Sequence, residues 1–470
     1  MSKTTIEYKG VVTTVEAGKS AVIRCEGDKM EDEVVVTAGG ESSGLDINGV
    51  IREYQVNAGA SVSTGDFVEF VNKFSANEFS SATVSFMSAS KLDNNRVFIT
   101  YKEGSVGKAL VLTIEGTKVS VGTSMTVISS SQFVEICSTT LSSNTAIIAY
   151  GMDSNARYGA VVPVVIDGST ITLGTVHKYY TSRNAYGFAM AGLSDNRAVL
   201  VCVNGDASVP KRMAYLFDTD GYTATTLSSV QLASGSNSMG SYYSMEVLSE
   251  SKVFVSYTSG QTYWYRVLTI DGTSISTSSN ISLGTIPDGF GIQYPSITAL
   301  TENKVFVSHR AYIEADARFC QTCSIYSVEG TTATRIGYQI LSDVQPYIYV
   351  KALTSNKVLA LYVNNLSLKC RVITIGEESI TAGEETALLD FDSSSAFSTA
   401  YILPSSKSSV LVIYSGAASA YLSLSIDGDN VTRDELIGTF VQPATSNLHN
   451  VGVAKTAGAE GETVEVYCAV

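Results

Sequence analysis

The chain is poor in charge, and what charge it has carries the wrong sign for a polyanion. Of 470 residues, 16% are charged, with 31 Lys and Arg against 45 Asp and Glu, a formal net charge of −14. Nucleic-acid binding needs a basic face to displace counterions, so no such partner is expected. No run of 18 apolar residues occurs, which argues against a helical membrane insertion. The opening residues, Met1-Ser2-Lys3-Thr4-Thr5-Ile6-Glu7, lack the apolar stretch of a secretory signal and predict synthesis in a cytoplasm. Histidine is scarce, with His177, His309 and His449 alone. No Ser-His-Asp arrangement can be read, no Gly-rich loop opens a helix, and no metal ligand set emerges, so no cofactor is expected. The seven cysteines, Cys25, Cys137, Cys202, Cys320, Cys323, Cys370 and Cys468, are an odd number scattered through strand-like contexts, and leave no complete disulfide framework. Cys320 and Cys323 make one C-x-x-C, but on an extended strand they point to opposite faces and no second pair completes a zinc site. No window shows a sustained helical period.

What is present is a repeat. A leucine, a short polar turn, a hydrophobic strand usually ending in Tyr and a later strand closing on a Gly turn recur seven times. The leucines are Leu92, Leu141, Leu193, Leu248, Leu300, Leu353 and Leu403, spaced 49, 52, 55, 52, 53 and 50 residues apart. The closing turns include Glu115-Gly116, Asp167-Gly168, Asp220-Gly221, Asp271-Gly272, Glu329-Gly330, Ile375-Gly376 and Asp427-Gly428. Acidic-Gly pairs suit two-residue hairpins because the backbone there needs positive φ, which Gly adopts freely. Short strands rich in Val, Ile, Thr and Tyr at this period predict an all-β fold, a seven-bladed β-propeller of four-stranded blades.

Alternation of strand direction sorts the loops. The polar turn and the Gly turn fall on one face, here called lower, and are short and uniform. The loops between second and third strands, and those between blades, fall on the upper face and vary. Variable loops on a rigid scaffold make the upper face the candidate recognition surface.

The flanks divide further. Residues 1–38 read as an N-terminal β-hairpin anchoring module, and 39–49, including Gly39-Gly40-Glu41-Ser42-Ser43-Gly44, as a linker. Residues 50–75 with 446–470 read as two halves of a small β-barrel, and 76–445 as the propeller inserted between them. Joining the flanks in a barrel would hold first and last blades together without strand exchange. The other arrangement open to the sequence has a flank supply an outer strand to the last blade.

The opening module, Ile6-Glu7-Tyr8-Lys9-Gly10 to Met30-Glu31-Asp32-Glu33-Val34-Val35-Val36, resembles the start of many bacteriophage and prophage structural proteins of Gram-positive hosts. The stretches Ala58-Gly59 to Thr64-Gly65-Asp66-Phe67-Val68 and Gly452-Val453-Ala454 to Val464-Glu465-Val466 resemble the small barrel of phage decoration and fibre proteins. Ser63-Thr64-Gly65-Asp66 stands where that family has Thr-Ala-Gly-Asp. The resemblance covers the flanks and implies a non-enzymatic virion protein. Its role would be as tail fibre or receptor-binding protein, with a capsid decoration or collar protein as the alternative. It further implies a virion location, a homo-oligomer, and as partners other virion proteins and a host surface glycan or protein. It carries over no catalytic residues.

Tyrosine supplies the ligand candidates. Tyr101, Tyr150, Tyr257, Tyr362 and Tyr414 recur with the repeat and read as packing, as does His309 in the equivalent place. Aromatics outside the repeat can stack on sugars: Tyr179, Tyr180, Tyr186, Tyr242, Tyr243, Tyr263 and Trp264, with Arg183 beside the first group. A sialidase-like enzyme is the competing class, since such enzymes are also propellers. It would need paired carboxylates, for which Asp153, Asp206, Glu314 and Asp316 lie on expected upper loops, and converging arginines such as Arg183, Arg212, Arg266, Arg310 and Arg318. The Asp-Gly turns lack the aromatic that follows in the sialidase box, and Trp264 is the one tryptophan.

Overall fold

The computed structural model describes the backbone of the flanking strands and most of residues 79–433. Segments 81–82, 116–117, 154–156, 206–208, 235–242, 260–261, 282–288, 314–317, 343–347, 365, 391–398, 405–408 and 416–419 lie outside the description, as do side chains next to several of them. No helix occurs among the described residues. The chain divides into two compact units, Glu78–Asp434 and Met1–Asn77 with Glu435–Val470.

The larger unit is a seven-bladed β-propeller. Each blade is one antiparallel sheet whose four strands follow in chain order from the centre outward. Blade one runs Val84–Lys91, Arg96–Glu103, Val106–Glu115, Lys118–Val121. Blade three runs Ala185–Ser194, Arg197–Asn204, Lys211–Thr219, Ala224–Ser234. Blade four runs Ser244–Ser249, Lys252–Ser259, Thr262–Asp271, Ser274–Thr277. The inner strands of blades two, five, six and seven are Phe133–Thr140, Gly289–Thr301, Ile348–Thr354 and Thr399–Pro404. In blades one, two and six a further short segment also pairs with the third strand, so the outer edge is broken in two. Blade seven is completed by Asn430–Arg433, the chain's own next segment, rather than by a flank.

The core lies between blades. Alternate residues of a strand point to opposite faces, so each middle strand feeds two seams. Phe98, Val111, Ile148 and Val162 fill the seam of blades one and two, and Val201, Leu216, Val255 and Leu268 that of three and four. Full burial of such a side chain is worth about 1.5–3 kcal/mol.

Inner strands of adjacent blades splay apart, and side-chain hydroxyls bridge the gap. Ser90 Oγ accepts from Thr140 N–H at 3.1 Å, Thr139 Oγ1 from Gly192 N–H at 3.1 Å, and Ser244 Oγ from Ile297 N–H at 3.2 Å. Ser296 Oγ and Thr298 Oγ1 do the same for Val350 and Ala352. The ring closes where the Tyr401 hydroxyl donates to Met87 O at 2.8 Å and Lys91 Nζ to Pro404 O at 2.9 Å.

The lower face carries a second repeated tie. The basic residue after the polar turn reaches the Gly turn of a neighbouring blade: Arg96 to Gly168 O, Arg197 to Gly272 O, Lys304 to Gly376 O and Lys357 to Gly428 O, at 2.8–3.0 Å.

In the smaller unit, Lys3–Tyr8 pairs with Val11–Glu16 and Ser20–Cys25 with Asp32–Thr37. Strands Val50–Val56, Phe67–Val71, Phe440–Pro443, Val451–Ala454 and Thr463–Cys468 form a closed barrel. Phe440–Pro443 falls within the 76–445 span that the sequence assigns to the propeller. It instead runs parallel to Gln55-Val56 and antiparallel to Val68–Val71.

Candidate functional site

Inner strands of all seven blades line a central cavity of about 1000 Å³. Lys91, Tyr243, Glu246, Tyr349, Lys351 and Tyr401 contribute to its wall. Lys351 Nζ meets Glu246 Oε1 at 2.7 Å, tying blade six to blade four past blade five. Burial lowers the Lys91 ammonium pKa, with Asp93 opposing. Glu246 is the one carboxylate among the described lining residues, and Lys351 neutralises it.

The predicted ligand residues separate. Tyr179 turns inward to the seam of blades two and three, with ring centroids 4.8 Å from Tyr215 and 5.5 Å from Phe217. Its hydroxyl donates to Cys202 Sγ at 3.7 Å, and burial pushes its pKa well up. A Cβ at Gly159 would stand 2.6 Å from the phenol, so that glycine is what admits the ring. Tyr179, a ligand candidate in the sequence, is half-buried and packs in this seam; a two-residue Tyr pair in sequence does not say which member faces in. Tyr180, Arg183 and Tyr186 are half-buried around the entry to blade three. Tyr243 and Trp264 are half-buried and pack together against the core of blades three and four, bringing two separate sequence candidates to one seam. Tyr242 and the side chain of Tyr263 lie outside the described residues.

The repeat tyrosines cap outer strands. In blade four the Tyr257 hydroxyl donates to Asn280 Oδ1 at 2.6 Å and accepts from Arg266 Nε at 3.1 Å. In blade six Tyr362 donates to Glu385 Oε2 at 2.6 Å and accepts from Arg371 Nε at 2.9 Å. Arg266 is thereby committed to its own blade. His309, in the same place in blade five, is fully buried and its pKa falls to about 3, through burial first and Arg335 second. Cys320 and Cys323 are buried and share no disulfide. Among the described residues no cluster of His, Cys, Asp or Glu could hold a metal ion.

Other upper-face features are absent from the sequence reading. Phe86 (φ +48), Arg157 (φ +41) and Leu366 (φ +64) are left-handed without being glycine, and all three lie on or near the upper face. Phe86 and Leu366 are 44% and 40% exposed. Phe86 stands six residues before its repeat leucine, the place that Gly187 (φ +63) fills in blade three, so alignment of the repeats carries a signal for it. Lys102 Nζ lies 5.6 Å from the Phe86 ring and 5.2 Å from that of Phe133, and donates to Phe133 O and Val134 O. Beside it Glu135 accepts Gly187 N–H at 2.7 Å and Phe188 N–H at 3.1 Å, where the blade-three ladder breaks register. Burial raises the Glu135 pKa, against those two N–H groups and Lys102.

No known family profile matches the chain, and no curated protein matches it. Solved structures resemble it in outline. A protein from Lactobacillus plantarum is 11% identical over 72% of this chain and 96% of its own, with a TM-score of 0.48. The propeller domain of the trilobed protease from Pyrococcus furiosus is 9% identical over 76% and 99%, at 0.39. A putative 6-phosphogluconolactonase from Bacteroides fragilis is 8% identical over 81% and 96%, at 0.44. At such identities and scores the likeness bears on none of the chemistry.

Proposed function

We propose that the propeller is a non-enzymatic adhesion module of a phage virion, which turns its upper face to a glycan or protein on the host surface. The flanks attach it to other virion proteins, in several copies whose joint engagement raises avidity. The observation that carries this reading is the contrast of faces. Most lower turns are short and several are tied blade to blade, with Tyr222 the one large exposed hydrophobic side chain on them among the described residues, while the upper face holds exposed Phe86, Val209 and Leu366. Exposed apolar groups on a rigid, variable face support a docking role. A glycosidase would need two carboxylates across its substrate; the described cavity wall offers Glu246, and of the sequence candidates Asp206, Glu314 and Asp316 lie outside the described residues.

The test is binding of the full-length protein to intact candidate host cells, with competition against phage adsorption. Saturable binding that blocks adsorption is the expected result. Incorporation into particles without cell binding would instead assign a decoration or collar role, and release of sugar from cell-wall material would reinstate the enzyme.

A further inference from the structure

Among the largest fully buried side chains of the propeller is a cation. Arg212, near the upper start of the third strand of blade three, is 1% exposed. Among the described residues its Nε and Nη1 have no hydrogen-bond acceptor. A buried charge short of acceptors is among the costliest arrangements an interior can hold, and a guanidinium cannot escape it by losing a proton.

The surroundings say what is missing. Alternation puts Arg212 on the face that bears Ala214 and Leu216, which pack with Val253, Val255 and Tyr257 of blade four. Tyr257 and Trp264 are direct cross-strand neighbours there, at the upper ends of their strands. The charge reaches Tyr257: burial raises that phenol's pKa, while Arg266 and then Arg212 pull it back. Arg266 is already held by Asn280 Oδ1 at 2.7 Å and by Tyr257. Among the described residues no carboxylate is hydrogen-bonded to Arg212 or Arg266.

Blade six supplies the comparison within the same chain. Tyr362, Arg371 and Glu385 repeat the spacing of Tyr257, Arg266 and Asn280. Glu385 accepts from Tyr362, from Arg371 Nη2 at 3.0 Å and from Lys369. Two cations and one carboxylate meet in blade six. Blade four has an amide in the carboxylate's place and gains a second guanidinium from blade three.

We infer that the upper seam of blades three and four is an oxyanion site. A carboxylate or phosphate group on a surface glycan pairs with Arg212, and the sugar that bears it lies against Trp264. The glycan as carrier rests on the adhesion reading; the anion rests on the charges of the seam.

The experiment titrates the full chain with glucuronate, glycerol phosphate and glucose at constant ionic strength, following heat of binding and the thermal midpoint. At least one anion binds saturably and raises the midpoint, glucose does neither, and the stronger anion identifies the group. Arg212→Met keeps the buried shape without the charge and lowers anion affinity about tenfold to a hundredfold, the worth of one charge-assisted hydrogen bond. Asn280→Glu copies blade six, raises the midpoint without added anion and abolishes the response to it. This second variant decides the matter should Arg212→Met fold poorly. A wild type indifferent to both anions overturns the inference, as does an anion response unchanged in Asn280→Glu. A carboxylate of the chain itself on Arg212, such as Asp206 from outside the described residues, gives the first of these results. Cell binding without an anion response sinks this site and leaves adhesion standing; an anion response without cell binding does the reverse.

Discussion

The two faces of the propeller solve the same turn problem differently. On the lower face Gly168, Gly272, Gly330 and Gly428 take φ of +58°, +55°, +57° and +63°, and an added Cβ at any of them would meet nothing within 4 Å. Glycine is there for backbone freedom, with space to spare. On the upper side Arg157 and Leu366 hold comparable angles with full side chains, and Phe86 does so inside an inner strand. A left-handed L-residue costs about 1–2 kcal/mol. The lower face avoids this cost at those four turns, as Gly104 (φ +59°) does in the upper turn of blade one, while the upper face retains it at Arg157, Leu366 and Phe86. Strain kept beside exposed apolar groups is what the adhesion proposal expects of that side.

The comparison can be broken at several points. Glu135→Ala should have the largest effect, a loss of about 3 kcal/mol in chemical denaturation, because two N–H groups at a break in the ladder lose a charged acceptor. Glu135→Gln should cost less and flatten the pH profile. The folded-state pKa of Glu135 is raised, so its contribution is greatest below the ordinary carboxylate value and declines as pH rises through the folded value. The wild type should therefore lose stability along that rise more steeply than the glutamine variant. A profile of equal slope would remove Glu135 from the account.

Gly272→Ala should cost about 1–2 kcal/mol through φ alone, measurable as a lower unfolding midpoint. Arg197→Ala, which removes a half-exposed tie to Gly272 O, should cost about 0.5–1 kcal/mol. Leu366→Gly should be the mildest, neutral to about 1 kcal/mol stabilising, as relief of strain outweighs glycine's unfolded-state entropy. The same variant should weaken cell binding if the upper face is the adhesive one. A destabilised Leu366→Gly would mean that the leucine packs rather than presents.

Much of the ring was legible because its signals are local. The repeat leucines and Gly turns report strand ends wherever they occur, and an Asp-Gly pair needs no knowledge of its neighbours. The lower ties left a trace too, in Arg96, Arg197, Lys304 and Lys357 directly after the polar turns, although their targets lie some 70 residues on. Glu135 left none, since its role depends on a ladder break in the next blade. Tyr179 and Trp264 look alike in the sequence as candidate aromatics, and both turn toward a seam, Tyr179 into space that Gly159, twenty residues away, leaves open. Arg212 was visible only as one of several arginines. Its significance depends on burial and on which residue occupies position 280, and both are properties of the assembled seam.

The barrel gives the molecule a defined response to tension. Val50 is the partner of Cys468 and Gln55 of Thr463, so a pull on the two chain ends enters that pair at one end and peels it bond by bond. The load then reaches Val68 opposite Pro443 and the parallel pair of Gln55-Val56 with Phe440-Val441, which is drawn from opposite ends and resists in shear. Until these contacts part, the segment between them carries no force, and the propeller, closed among the described residues by side-chain contacts, is spared the stretch that would open it. In an optical trap the extension trace should show a release of barrel length before any blade yields. The barrel acts as a mechanical fuse for the ring.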